Sequence, residues 1–170
     1  MRVMVALFIA LFSVSASANP TVFGLEIGKT TVSQLEAQYN ASRSGTNKYT
    51  QGPMFEISPS QIDFEGLQNL TVIFSSDGLL VGVLTTFPKS KFDYLHNVLN
   101  QKYRKVSEKI PFVGDKSASY RDNQTNISLK APHLSFKMSM NYIHEDLDTA
   151  FNRQTQAEEQ AQKQRESSQL

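Results

Sequence analysis

Cysteine is absent from the 170 residues. No disulfide, thiol nucleophile, cysteine-based metal site or lipidated lipoprotein cysteine is therefore available, and an exported fold of this size must be held by packing alone. An excess of either charge is missing too. Lys and Arg number 17 against 16 Asp and Glu, and loss of Arg2 with an amino-terminal leader brings the two level. Nucleic-acid binding needs a basic surplus on one face, and anionic lipid needs a polybasic patch. Composition argues against both. No apolar stretch beyond residue 12 approaches the roughly 20 residues of a membrane-spanning helix, so the mature chain is expected to be soluble, with no stable membrane insertion. Catalytic signatures are equally scarce. G-x-S-x-G, G-x-G-x-x-G and G-x-x-x-x-G-K-[ST] do not occur, and Gly24 and Gly28 stand too close together for the last of these.

What is present begins with an export signal. Arg2 precedes the apolar run Val3–Phe12, and Ala16-Ser17-Ala18 supplies the small-x-small pattern of a cleavage site. Residues 1–18 therefore read as a signal peptide cut between Ala18 and Asn19. The expected compartment is the bacterial periplasm, with secretion as the alternative.

Two segments carry helical periodicity. Thr31 and Gln34 have capping-box spacing, with Val32, Leu35 and Tyr39 on one face behind them. After Pro88, the residues Phe92, Leu95, Leu99 and Tyr103 form an apolar stripe that Val98 widens. Strand-like runs follow each helix: Met54–Ile57, Leu70–Phe74 and Leu79–Phe87, then Lys105–Val113, Ser117–Arg121, Thr125–Lys130 and Leu134–Tyr142. In the last run Leu134, Phe136, Met138, Met140 and Tyr142 alternate with polar residues, as in a strand with one wet face. The fold class expected is α+β: two tandem helix-then-antiparallel-strands units forming a helix-on-sheet two-layer fold. The units span 19–87 and 88–152, and 153–170 is a polar tail, either a solvated helix or disordered.

Leu25-x-x-Gly28-x-Thr30 ahead of a helix, and the hairpin Leu70–Leu80 closed by Ser75-Ser76-Asp77-Gly78, resemble the repeat of small bacterial envelope proteins. These are the outer-membrane assembly lipoproteins of the SmpA/OmlA type (BamE-like) and the secreted β-lactamase-inhibitor proteins. The resemblance covers Phe23–Phe87 and implies helices on a four-stranded antiparallel sheet that binds through its surface. Three features depart from it: the lipoprotein cysteine is missing, Lys29 stands where that family usually has Met, and the inhibitors' disulfides are impossible.

No arrangement of His96, His133 and His144 has helical metal-ligand spacing. His96 adjoins the apolar stripe and reads as a half-buried, hydrogen-bonded side chain. His144-Glu145-Asp146 suits a helix start, where carboxylates meet the positive end of the dipole. No catalytic residue, metal site or cofactor is expected. Among the aromatics, Phe55 and Phe112 are expected in the core. Tyr49 and Tyr120 are candidates for an exposed contact patch, with Asn126, Ser128, Lys130, Ser135, Lys137 and Ser139 as its polar rim. The function expected is that of a non-catalytic binding or accessory protein of the periplasm. Its partner would be another protein or an envelope component, met through a sheet face. The alternative is a small periplasmic hydrolase or metal-dependent enzyme whose residues converge only in three dimensions.

Overall fold

The computed structural model describes residues 19–169; the expected signal peptide lies outside them. A short ribbon, β1 (Thr21–Val22) and β2 (Leu25–Glu26), leads into α1 (Val32–Gln38). Gly28, at φ +77°, turns the chain between them. The capping box forms as its spacing predicts: Thr31 Oγ1 accepts from the Gln34 N–H at 3.3 Å, and Gln34 Oε1 accepts from the Thr31 N–H at 2.9 Å. With only seven residues, α1 buries a single side chain, Leu35.

Then come β3 (Ala41–Thr46), β4 (Gln51–Ile57), β5 (Asn69–Ser75) and β6 (Leu80–Pro88). Next are α2 (Phe92–Lys102), β7 (Arg104–Lys109), β8 (Lys116–Asp122), β9 (Thr125–Ala131), β10 (Lys137–His144) and α3 (Glu145–Ser167). All eight strands from β3 onward belong to one antiparallel sheet in the order β3-β4-β5-β6-β10-β9-β8-β7. At its centre β6 and β10 pair from Lys137↔Pro88 to Ile143↔Gly82.

This architecture corrects the expected α+β two-layer fold of tandem helix-on-sheet units. The molecule is mostly one large sheet, 42% strand against 31% helix. Its longest helix is the C-terminal α3, with 23 residues against 7 in α1 and 11 in α2. The physical reason lies in the β6–β10 ladder, which satisfies the main-chain groups of both strands and merges their apolar faces into one core. α1 and α2 lie on that core face, whereas α3 crosses the other. The tail is correspondingly a continuation of α3 and not a separate coil.

Facing α1 and α2, a continuous cluster gathers Leu70, Val72 and Phe74 of β5, Val83 and Phe87 of β6, and Met138, Met140 and Tyr142 of β10 with Leu35, Leu95 and Leu99. The α2 stripe is buried as read, except that Val98 stays partly exposed. On the opposite face a smaller cluster, Ile73, Val81 and Leu147, seats the start of α3. Gly82 allows this approach, since a Cβ there would lie 3.0 Å from Leu147 Cδ2. Sequence reading missed β3, whose Ala-Ser-Arg-Ser-Gly-Thr has no apolar face because it is an exposed sheet edge. Both outer strands are polar and bulged, at Arg43/Gly45 and Lys105/Ser107, which blunts edge-to-edge pairing. Phe112 is a second correction: it is fully exposed, not core, while Phe55 is buried. Leu134 and Phe136 likewise precede β10 in a turn and point to solvent, so the alternation begins only at Lys137.

Candidate functional site

Cross-strand partners share a face of the sheet, so the register shows what the face opposite α1 and α2 displays. One row across it reads Ser119↔Ser128↔Asn141↔Leu84↔Thr71. The next reads Lys109↔Ser117↔Lys130↔Ser139↔Thr86↔Asn69, with Lys137 beyond it. Apart from Leu84 these are small hydroxyls, amides and lysines, all half-buried or exposed. Serine, threonine and asparagine contribute hydrogen-bonding groups at little side-chain height, so this part of the face is flat and polar.

Five of the eight sequence-nominated residues meet here: Asn126, Ser128, Lys130, Lys137 and Ser139. Ser128, Lys130, Lys137 and Ser139 have no side-chain partner among the described residues. Asn126 is engaged. Its Oδ1 accepts from Arg121 Nη1 at 2.9 Å and its Nδ2 donates to Asp148 Oδ2 at 3.4 Å. Arg121 Nη2 also pairs with Glu145 Oε2 at 3.1 Å, so this network fastens the first turn of α3. His144 caps that turn by accepting from the Asp146 N–H at 3.2 Å, with Glu145, Asp146 and Asp148 at the positive end of the dipole.

The remaining three nominees lie elsewhere. Ser135 is in the turn before β10, where its Oγ accepts from the Lys137 N–H at 3.0 Å. Tyr49, in the β3–β4 turn, packs edge-on against Phe151 of α3 with ring centroids 5.0 Å apart. A groove of about 330 Å³ opens beside this pair, walled by Met54, Ile73, Leu84, Ile143 and Leu147. Tyr120 is buried on the core face, so the exposed aromatic pair does not form.

Tyr120 instead belongs to the arrangement nearest to acid–base machinery. Its Oη lies 2.5 Å from His96 Nδ1, and His96 Nε2 lies 3.4 Å from Glu108 Oε2. Burial, and secondarily the Glu108 charge, push the Tyr120 hydroxyl up to about 12. Lys105, hydrogen-bonded at 2.8 Å, holds the Glu108 carboxyl below its ordinary value. A buried tyrosine with a raised pKa keeps its proton, and the chain of contacts ties α2 to β7 and β8. His96 thus takes the half-buried, hydrogen-bonded place read for it.

Sequence reasoning put Asn141 on the wet side of the last strand without nominating it, and it did not find Ser117 or Ser119, which the alternation of β8 would have placed beside Ser128 and Lys130. Arg121 as an α3 anchor had no local signal, since Glu145 lies 24 residues away in sequence. No helix among the described residues is long and apolar enough to cross a membrane. No family model, curated protein or solved structure matches this chain.

Proposed function

We propose that this chain is an exported, non-catalytic binding or accessory protein of the bacterial periplasm, released by cleavage between Ala18 and Asn19. It acts on another protein or an envelope component through the polar face of its sheet. The observation that carries this reading is the open polar face around Ser128, Lys130, Lys137 and Ser139, whose side chains have no partner among the described residues, although Asn141 beside them accepts from the Thr85 N–H at 3.4 Å. Polar groups that a fold leaves unspent on a flat, rigid surface are available to a ligand at no cost in broken internal bonds. The export signal and the envelope-protein resemblance of Leu25–Thr30 and Leu70–Leu80 supply the compartment. A hydrolase reading draws less support, because in the Tyr120–His96–Glu108 chain the tyrosine is buried beneath α2 and only the carboxylate end is exposed.

The test is site-specific photo-crosslinking in the exporting cell, with a photoreactive residue at Ser128, at Ser139 and, as a control on the other side of the sheet, at Glu36. One discrete adduct from the first two positions, lost when Asn141→Arg is added, is expected. Equal labelling from Glu36, or none from the sheet face, would remove the proposed binding surface.

A further inference from the structure

Two hairpin loops at one end of the sheet share a pattern. Lys109-Ile110-Pro111-Phe112-Val113-Gly114-Asp115-Lys116 connects β7 to β8, and Lys130-Ala131-Pro132-His133-Leu134-Ser135-Phe136-Lys137 connects β9 to β10. Each is bracketed by lysines, has proline at its third position and carries large apolar side chains at its tip. Phe112, Leu134 and Phe136 are 105%, 94% and 94% exposed, and Val113 is 67% exposed. Single exposed hydrophobes are ordinary, but four on adjoining tips form a surface that asks for an occupant.

The tips are held in place. β8 and β9 pair from Lys116↔Ala131 onward, so the loops leave the sheet side by side. Asp115 Oδ1 accepts from the His133 N–H at 2.7 Å and ties one loop to the other. Lys89 braces the second loop, its N–H donating to the Phe136 carbonyl and its Nζ to the carbonyls of Pro132 and His133.

Charge identifies the occupant. Within the two loops four lysines accompany one carboxylate, Asp115, which already accepts a backbone N–H. Lys116 pairs with Asp93 at 3.3 Å. Lys109, Lys130 and Lys137 have no ion-pair partner among the described residues, and all three stand on the polar sheet face just behind the tips. The chain as a whole is close to neutral, so this local surplus arises from strand register and not from composition. Apolar tips backed by free ammonium groups match the layering of a lipid bilayer: acyl chains outermost to the protein's tips, phosphates level with its lysines.

We infer that the β7–β8 and β9–β10 loops dock the protein peripherally on an anionic lipid bilayer. The tips of Phe112, Leu134 and Phe136 enter the interface, and Lys109, Lys130 and Lys137 lie over the phosphates. This adds no spanning element and does not rest on the sheet-face reading. The test is co-sedimentation of the protein with vesicles of phosphatidylcholine, with and without about a third phosphatidylglycerol. Partition about tenfold or more stronger onto the anionic vesicles is expected, falling as salt is raised. The double variant Phe112→Ser, Phe136→Ser and the triple variant Lys109→Gln, Lys130→Gln, Lys137→Gln should each lose about tenfold or more. Both should melt like the parent, since the two phenylalanines are almost wholly exposed and the three lysines are exposed and without an ion-pair partner among the described residues. The protein contains no tryptophan, so Phe136→Trp gives a single tryptophan whose selectively excited emission should shift to the blue on anionic vesicles. The inference is overturned if anionic vesicles are not preferred or if the phenylalanine variant binds unchanged. It is also overturned if the protein ignores vesicles and self-associates through a contact that this variant abolishes.

Discussion

Leu147→Ala tests how α3 is held. Leu147 is the one buried residue of that helix, seated against Ile73 and Val81 over Gly82. Truncation removes three carbons, about 2.4 kcal/mol of transfer free energy at ~0.8 kcal/mol each. The helix lies at the surface and settles into part of the space, so the cavity penalty is small and the total stays near the low end of the 2–5 kcal/mol range for such changes. Against this stand weak auxiliary ties. The Arg121–Glu145 pair is partly exposed and the Lys48–Glu158 pair, at 3.8 Å, is well exposed, and exposed pairs contribute about 0–1 kcal/mol. A helix of this composition is marginal once undocked. The expected result is therefore local: amide exchange in Glu145–Glu158 accelerates about thirtyfold, as ~2 kcal/mol implies, while the global denaturant midpoint moves less. A loss below about 0.5 kcal/mol with unchanged exchange would show that the helix is held by something other than Leu147. A chain ending at Arg153 should melt within a few degrees of the parent, because the residues it loses are almost wholly exposed.

Leu99→Ala, in the middle of the α2 stripe, should cost roughly 2–5 kcal/mol in denaturant melts, and a negligible loss would mean that α2 is not seated on the sheet. Folding holds the Tyr120 proton more tightly than the unfolded chain, where tyrosine titrates near about 10. Its contribution is accordingly complete below pH ~10 and is lost as pH rises toward the folded value of about 12. Tyr142, also pushed up by burial and by Tyr103 beside it, adds to the same slope. The pair Tyr120→Phe, Tyr142→Phe should flatten the fall in melting temperature between about pH 10 and about pH 12, and an undiminished slope would locate the alkaline transition elsewhere. Gly28→Ala should destabilise by more than about 1 kcal/mol, since φ is +77° and the new Cβ would sit 3.3 Å from His144 Nε2. A neutral effect in thermal melts would mean that the turn relaxes freely.

Local chemistry was legible in this sequence and long-range pairing was not. The Thr31–Gln34 box, the α2 stripe and the turn at Gly78 rest on neighbours within a few residues, and each stands where its spacing puts it. The β6–β10 ladder depends on main-chain groups that every residue carries, so nothing in Leu79–Phe87 or Leu134–Tyr142 announced the pairing that makes one sheet of eight strands. Leu134, Phe136 and Phe112 misled because hydrophobicity is a one-way guide: it says what gains from burial, not what is buried. For the site, alternation placed Ser128, Lys130, Lys137 and Ser139 on one side correctly. Tyr120 went astray because an aromatic in a polar-looking run, Lys116–Asp122, gives no sign of which face the strand turns inward.

The central position of the β6–β10 ladder bears on the order in which the chain folds. Its two strands are separated by roughly fifty residues, and such pairings close late because the loop entropy is spent before the contacts return anything. The hairpins on either side form from near neighbours and precede it. Until β10 arrives, Leu80–Phe87 is an unpaired apolar margin with the composition that aggregates most readily. A chain delivered amino terminus first would hold that margin open until His144 has emerged, so the interval between the two strands is when it most needs a chaperone.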